Sequence, residues 1–225
     1  MTQDADKRIA AEAAVREVRD GMCVGLGTGS TVAFAIDALA GRVHDGLRVT
    51  AVATSERSAA QASAAGIAVR DFADVASVDL TIDGADEIDA RFFAIKGAGG
   101  AMLREKVVAA ASRRMVVIAD ASKHVEAIGA AASLPVEVLP FACAFVRERL
   151  EALGGRVTLR DGRTDNGNLI LDVDFDAFPD PAALAAAIDG IPGALGHGLF
   201  LDEVDAVYIA RDGIVTRLER GGTSG

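Results

Sequence analysis

Short apolar runs alternate with longer, alanine-rich segments over the first 128 residues of the chain. The short runs predict β-strands, and the longer segments predict helices because their apolar residues recur at every third or fourth position. The predicted strands lie at 22–26, 49–54, 67–70, 78–82 and 114–119. The predicted helices lie at 8–19, 31–40, 55–65 and 101–112. Strands that alternate with helices of this length predict a doubly wound, mostly parallel, Rossmann-like α/β sheet.

The order of elements changes after about residue 129. Strands are predicted at 136–139, 156–160 and 169–175, helices at 141–153 and 181–188, and a short apolar segment at 199–200. This β-α-β-β-α-β order, with 199–200 as its last strand, is typical of a ferredoxin-like fold. Two final segments, 206–210 and 214–218, predict a hairpin that returns to the first sheet. We therefore expect two units, namely a Rossmann-like domain of residues 1–128 plus 204–225 and a smaller ferredoxin-like α+β lobe of residues 129–203.

The charge balance narrows the range of partners. The chain has 23 basic and 33 acidic side chains, which gives a formal net charge of −10 at pH 7. We expect neither a nucleic-acid nor a membrane partner, because non-specific binding to either needs a basic surface. The first ten residues lack the apolar core of a signal peptide, and no apolar stretch approaches the roughly 18 residues of a membrane span. These features predict a cytoplasmic protein.

The segment GLGTGST, residues 25–31, joins a predicted strand to a predicted helix. It is not a dinucleotide fingerprint, because Ser30 stands where the third glycine would fall, and it lacks the lysine of a P-loop. Backbone N–H groups and the positive end of the helix dipole suit a single phosphate group at such a place. The alternative is a tight turn of purely structural importance, with Ser30 or Thr31 as the N-cap residue.

The segment DGADEID, residues 83–89, follows the predicted strand 78–82. It fails as a calcium-binding EF-hand loop, because its third and twelfth positions are Ala85 and Ala94. The functional interpretation is a carboxylate pair, Asp83 and Asp86, that binds sugar hydroxyls or transfers protons. A solvated acidic turn and a metal site of another geometry are the alternatives.

The segment KGAGGAMLREK, residues 96–106, places a lysine and a glycine-rich turn directly before a helix that carries Glu105. If the apolar face of that helix consists of Leu103, Val107, Ala110 and Ala111, Glu105 lies on the opposite, solvated side. Close to the start of the helix, however, that side can also line a cleft. In an open parallel sheet, ligands bind beyond the carboxyl ends of the strands, so we expect the three loops to form one site.

The chemistry available at this site limits the reaction. The chain has three histidines, none at metal-binding spacing from another, and no serine lies in a nucleophile elbow. A phosphate-binding loop, carboxylates and a lysine suit proton abstraction beside a carbonyl better than acyl, hydride or phosphoryl transfer.

Six segments resemble, in sequence and in order, those of the type A ribose-5-phosphate isomerases. They are GLGTGST, DGADEID, KGAGGAMLREK, IADASK (118–123), LPVEVLP (134–140) and TDNGN (164–168), and the similarity covers nearly the whole chain. The resemblance implies interconversion of D-ribose 5-phosphate and D-ribulose 5-phosphate in the non-oxidative pentose phosphate pathway, without a cofactor or metal. It also implies a homodimer or homotetramer. A non-catalytic sugar-phosphate sensor and an amino-sugar phosphate deaminase are the alternative functions.

The resemblance also assigns roles to residues. Glu105 is expected to be the proton acceptor, Lys96 to stabilise an enediolate, and Asp83, with Lys96, to move the proton that opens the sugar ring. The residues expected to bind substrate are Thr28, Gly29, Ser30, Thr31, Asp83, Gly84, Ala85, Asp86, Lys96, Gly97, Ala98, Gly99 and Lys123.

Overall fold

The computed structural model describes residues 2–221. In this range the helices are α1 (Gln3–Val15), α2 (Ser30–His44), α3 (Glu56–Ala64), α4 (Met102–Ala110), α5 (Cys143–Ala152) and α6 (Pro181–Asp189). The first seven strands are β1 (Cys23–Leu26), β2 (Thr50–Ala53), β3 (Ala68–Val69), β4 (Leu80–Asp83), β5 (Glu87–Ile88), β6 (Ala94–Ile95) and β7 (Met115–Asp120). The remaining strands are β8 (Leu134–Val138), β9 (Arg156–Leu159), β10 (Leu169–Asp174), β11 (Ala194–His197), β12 (Leu199–Phe200), β13 (Ala206–Arg211) and β14 (Ile214–Glu219).

The largest sheet has the strand order β14-β13-β7-β4-β1-β2-β3. Its neighbouring strands are parallel except for the antiparallel hairpin of β13 and β14. This confirms the predicted doubly wound sheet and the returning hairpin. Strands β4 and β7 are buried along their whole length, as expected where helices cover both faces of a sheet. The chain runs from β1 to β2 on one side and returns to β4 on the other, so the topological switch point lies between β1 and β4.

The second unit is a four-stranded antiparallel sheet of order β11-β8-β10-β9. Together with α5 and α6 it forms the predicted ferredoxin-like lobe, around a core that includes Val136, Leu150, Leu171 and Ile188. The prediction that segment 199–200 closes this lobe is wrong. The last strand of the lobe is β11, whose short sequence has a register shift at Gly196 and no regular apolar alternation. The division of the chain at residues 128 and 204 stays a prediction.

Strand β12 belongs instead to a third sheet, of order β12-β6-β5. The sequence did not predict this sheet, because each of its strands has only two residues and therefore shows no periodicity. The sheet lies directly beside the expected site: β5 is part of the acidic segment, and β6 immediately precedes Lys96. The backbone N–H of Lys96 donates to the carbonyl of Gly198, which fixes the start of the glycine-rich turn.

The face that α4 buries differs from the predicted one. The buried residues are Met102, Glu105, Val108 and Ala109, whereas Val107 is 47% exposed. The prediction that Leu103, Val107, Ala110 and Ala111 form the core face is wrong, because apolar residues surround this short helix and its periodicity does not select one side. Leu103 and Val107 line a separate surface cleft of about 720 Å³.

The first helix starts earlier than predicted. Helix α1 begins at Gln3 rather than at residue 8, because the Thr2 side chain accepts a hydrogen bond from the N–H of Ala5 and acts as the N-cap. Two acidic residues in the first turn, Asp4 and Asp6, also favour this start. None of the helices within residues 2–221 has the length and apolar character that crossing a bilayer requires.

Candidate active site

The three loops predicted from the sequence meet in one cleft of about 300 Å³ beyond the carboxyl ends of β1 and β4. Glu105 and all but one of the predicted substrate-binding residues line it, namely Thr28, Gly29, Ser30, Thr31, Gly84, Ala85, Asp86, Lys96, Gly97, Ala98, Gly99 and Lys123. The exception, Asp83, is fully buried and contacts Lys96. The sequence therefore predicted which residues come together, and the roles given to them stay predictions.

The first loop combines close packing with an open helix end. A Cβ atom on Gly27 would lie 1.9 Å from Asp83 Oδ1, so only glycine lets the loop after β1 pass this close to Asp83. The N-cap residue of α2 is Gly29, with φ of 120°, and the predicted N-cap role of Ser30 or Thr31 is wrong. Because Gly29 has no side chain, it cannot satisfy the first N–H groups of α2, which leaves that helix end suited to an anion.

A buried cluster of one ammonium and two carboxyl groups forms the base of the cleft. Lys96 Nζ lies 2.9 Å from Asp83 Oδ2 and 3.4 Å from Glu105 Oε2, and it donates a hydrogen bond to the carbonyl of Gly84. The side chains of Lys96, Asp83 and Glu105 are 2%, 0% and 3% exposed. If all three were ionised, the cluster would bury one uncompensated negative charge, which is costly. One carboxyl group therefore tends to keep its proton.

The surroundings favour Glu105 as the group that keeps the proton. Burial and the neighbouring charge of Asp83 raise the pKa of Glu105 to about 8 despite the opposing charge of Lys96. Burial also raises the pKa of Asp83, but Lys96 and the N–H groups of Thr28 and Gly84 stabilise its anion directly. For Lys96, burial lowers the pKa, but the charges of Asp83 and Glu105 outweigh burial, so the pKa is raised overall. The arrangement is a positively charged lysine beside a weakly acidic glutamic acid.

The other carboxylates of the acidic segment have different partners. Asp86 Oδ2 accepts the N–H of Ala98 at 2.9 Å and so connects the acidic loop to the glycine-rich turn. Glu87 is 3% exposed and accepts four successive backbone N–H groups, from residues 129–132. Asp83, Glu87 and Asp89 are all buried, so the interpretation of this segment as a solvated turn is wrong. Between residues 2 and 221, His, Cys, Asp and Glu side chains form no group of three or more that could hold a metal ion.

Two residues of α1, Gln3 and Lys7, also line the cleft, and the sequence did not predict them there. Lys7 Nζ donates to Ser30 Oγ at 3.3 Å, and Gln3 donates to Ser122 Oγ at 3.3 Å beside Lys123. Thr2 followed by acidic residues is typical of the start of a helix, and this pattern predicts that Gln3 and Lys7 lie on that helix. Nothing in the sequence shows that α1 packs beside the start of α2, because that contact depends on tertiary structure.

The lining groups suit two kinds of chemistry. The N-terminus of α2, the hydroxyls of Ser30 and Thr31, and the ammonium groups of Lys7 and Lys123 suit a phosphate group. Glu105, Asp83 and Lys96 suit proton transfer beside a group that becomes negatively charged. The cleft thus matches a small ligand with a phosphate at one part and an acidic C–H bond at another.

Comparison with known proteins gives a consistent result. The model of the family described as Ribose 5-phosphate isomerase A (phosphoriboisomerase A) matches residues 50–213. A protein of Sphingopyxis alaskensis named ribose-5-phosphate isomerase A is 56% identical over 96% of this chain and 97% of its own length. The solved structure of ribose 5-phosphate isomerase A from Methanocaldococcus jannaschii superposes with a TM-score of 0.92, at 36% identity over 97% of this chain and 100% of that one.

A second solved structure, a D-ribose-5-phosphate isomerase in complex with phospho-erythronic acid, superposes with a TM-score of 0.94. The two are 33% identical, and the match covers 98% of this chain and 100% of that one. The family model spans well over half of the chain, and the relatives match it at nearly full length. The chain belongs to the ribose-5-phosphate isomerase A family.

Proposed function

We propose that the chain is an aldose–ketose isomerase that interconverts D-ribose 5-phosphate and D-ribulose 5-phosphate through a cis-enediolate, with Glu105 as the base. The observation that supports this most directly is a glutamic acid of raised pKa, 3% exposed and 3.4 Å from the Lys96 ammonium, in a cleft with a separate anion-binding part. Membership of the isomerase family and the neighbour's complex with phospho-erythronic acid support the same substrate class.

The isomerisation moves one carbon-bound proton and one oxygen-bound proton. Glu105, as a carboxylate, removes the proton from C2, and the electron pair of that C–H bond forms the C1–C2 double bond while the carbonyl electrons move to O1. Glu105 then returns the proton to C1, and the O2–H proton is transferred to O1, which gives the ketose. An ordinary glutamate is a weak base for this step, whereas a pKa of about 8 brings Glu105 closer to the strength required.

Lys96 and Asp83 act on the oxygen atoms. The Lys96 ammonium, fixed by Asp83 at 2.9 Å, is placed to stabilise the negative charge that develops on O1. We assign to Asp83, acting with the Lys96 ammonium that it contacts, the exchange of the proton that opens the cyclic sugar before the isomerisation begins. The phosphate group binds at the N-terminus of α2, where Ser30, Lys7 and Lys123 surround the cleft.

A coupled assay of ribulose 5-phosphate formation tests the proposal. Glu105→Gln keeps the shape of the side chain but removes the base, so kcat is expected to fall by about 10²–10⁴-fold with little change in KM. Glu151→Gln is the matched control, because Glu151 is an exposed residue of α5 in the lobe.

Two outcomes would contradict the proposal. If the wild-type protein binds ribose 5-phosphate without converting it, the chain is a sugar-phosphate sensor. If Glu105→Gln retains wild-type turnover, Glu105 is not the base. The assay includes a chelator, and loss of wild-type activity on chelation would instead support a metal at the acidic loop.

A further inference from the structure

One side chain of the lobe contacts two successive carbonyl groups of the glycine-rich turn. Arg160 Nη1 donates to the carbonyl of Gly97 at 2.8 Å and to that of Ala98 at 3.2 Å. The other side of the same guanidinium group forms a bidentate pair with Asp172, in which Nε lies 2.8 Å from Oδ2 and Nη2 donates to Oδ1. Arg160 follows β9 and Asp172 lies on β10, so both come from outside the Rossmann-like sheet.

We propose that Arg160, oriented by Asp172, is a positioning residue for the isomerase reaction, because it holds the peptide groups of residues 97–99 with their N–H groups facing the cleft. The inference rests on the proposed function, and neither residue takes part in the acid–base cluster. The proposal gives the lobe a role in catalysis, since both Arg160 and Asp172 belong to it.

The direction of the peptide groups follows from their geometry. The structure has no cis peptide bond in residues 2–221, and in a trans peptide the C=O and N–H bonds point in opposite directions. Since the carbonyls of Gly97 and Ala98 point to Arg160, the N–H groups of Ala98 and Gly99 point away from it. The N–H of Ala98 does so, because it donates to Asp86 Oδ2 at 2.9 Å on the cleft side. The N–H of Gly99 points in the same direction and is positioned to donate a hydrogen bond to a ligand oxygen.

The turn needs such support because its sequence gives it little rigidity. Three of its residues, Gly97, Gly99 and Gly100, are glycines, and two of them have positive φ, 109° at Gly97 and 76° at Gly100. Ala98 and Gly99 are exposed to the cleft. Asp86 holds the turn by an N–H group, and Arg160 holds it by two carbonyls. Between these two contacts the orientation of the peptide groups is fixed before a ligand arrives.

The chemistry of the contact requires arginine. A guanidinium group is planar and has donors on two edges, so it can bind a carboxylate with one edge and carbonyls with the other. A lysine ammonium cannot make both contacts in the same geometry. The Arg160 and Asp172 side chains are only 26% and 19% exposed and form a bidentate pair, so we expect loss of the pair to lower stability as well as turnover. Circular dichroism of each variant therefore accompanies the kinetic comparison.

The test compares Arg160→Gln, Arg160→Lys and Asp172→Asn with the control Arg156→Gln. Arg156 lies on β9, four residues before Arg160, and pairs with the exposed Asp176, so its replacement removes the same charge without touching the turn. Removal of one oxyanion donor typically costs about 10²–10³-fold in turnover, and a donor that is present but misaligned should cost less. We expect kcat to fall about 10- to 100-fold in Arg160→Gln, with KM within about threefold, and less in Arg160→Lys and Asp172→Asn.

Inhibition provides a readout that a purely structural role would not change. Phospho-erythronic acid has a planar, charged carboxylate where the substrate has C1 and C2, and so resembles an enediolate more than it resembles the sugar. Its inhibition constant should rise in Arg160→Gln by about the same factor as kcat falls, while that of inorganic phosphate should stay the same. Parallel weakening of both inhibitors, or a kcat equal to that of Arg156→Gln, would overturn the inference.

The outcomes separate this inference from the proposed function. If the wild-type protein does not isomerise ribose 5-phosphate, the proposed function fails. If the wild type is active and the Arg160 and Asp172 variants behave as Arg156→Gln does, only the positioning role fails. Should Arg160→Gln not fold, Arg160→Lys and Asp172→Asn carry the same comparison, and unchanged kcat in both would overturn the inference.

Discussion

Glu105→Gln should make the protein more stable at alkaline pH while it removes the proposed base. The folded-state pKa of Glu105 is about 8, whereas the ordinary value is 4.5. Between these values the folded protein holds a proton that the unfolded chain has lost, so the free energy of unfolding falls as pH rises. The favourable contribution of the protonated carboxyl is complete below pH 4.5, decreases through the interval, and is lost above pH 8.

The size of the effect follows from the same two pKa values. At about 1.36 kcal/mol for each pH unit, moving the pKa from 4.5 to about 8 corresponds to as much as about 5 kcal/mol. This is a large part of the roughly 5–15 kcal/mol by which proteins are usually stable. The glutamine side chain of the variant cannot ionise, so the variant does not lose this part of its unfolding free energy as the pH rises. Glu105→Gln should therefore gain on the wild type by roughly 1 kcal/mol per pH unit between pH 5 and 8, and the gain should level off above about pH 8.

Urea unfolding of both proteins at pH 5, 6, 7, 8 and 9, followed by circular dichroism, measures this difference. Asp83 and Lys96 remain in both proteins, so subtracting the two curves gives the contribution of Glu105 together with its effect on these two neighbours. A difference in unfolding free energy that is constant across this range would refute the assignment of a raised pKa to Glu105. Glu151→Gln, which changes an exposed carboxylate of α5, is measured alongside as the control.

The remaining predictions concern the reaction and the assembly. In the wild type, kcat/KM should rise about tenfold per pH unit up to about pH 8 and then level off, because the base must be ionised; a limb centred near pH 4.5 would contradict this. Lys7→Gln should raise KM for ribose 5-phosphate about tenfold with little change in kcat, whereas Arg8→Gln, on the neighbouring exposed position, should change neither. Light scattering at micromolar concentration should give the mass of a dimer or tetramer, and Phe141→Asp should lower it, because Phe141 is 96% exposed in the single chain. A wild-type monomer would contradict the last expectation.

The sequence predicted the fold where an element was long enough to show a period. The alternation of strands and helices identified the parallel sheet, and the β-α-β-β-α-β order identified the lobe. It failed at β5, β6 and β12, which have two residues each, and at α4, where a buried glutamate replaced an apolar residue on the core face. The burial of Glu105 depends on its neighbours Lys96 and Asp83. These two residues lie outside the helix, so the sequence pattern of the helix does not predict the contact.

The site was predictable for a topological reason. The three loops follow strands or precede helices at one edge of the sheet, so their convergence could be inferred before any distance was known. Gln3, Lys7 and Arg160 could not be found in the same way. Gln3 and Lys7 reach the cleft from α1, and Arg160 reaches the glycine-rich turn from the lobe. The positions of α1 and the lobe against the sheet are set by packing. The sequence thus predicts the loops that the sheet brings together, but it does not predict the residues that contact them from α1 and the lobe.

The pairing of β12 with β6 determines when the site is complete during synthesis. The N–H of Lys96 bonds to Gly198, and β6 pairs with β12, so the anchor of this lysine lies beyond the whole lobe in the chain. A nascent chain that already contains the glycine and acidic loops still lacks that anchor. Contacts of such long sequence separation form late and slow folding. We therefore expect the proposed acid–base cluster to be complete only after the lobe has been synthesised.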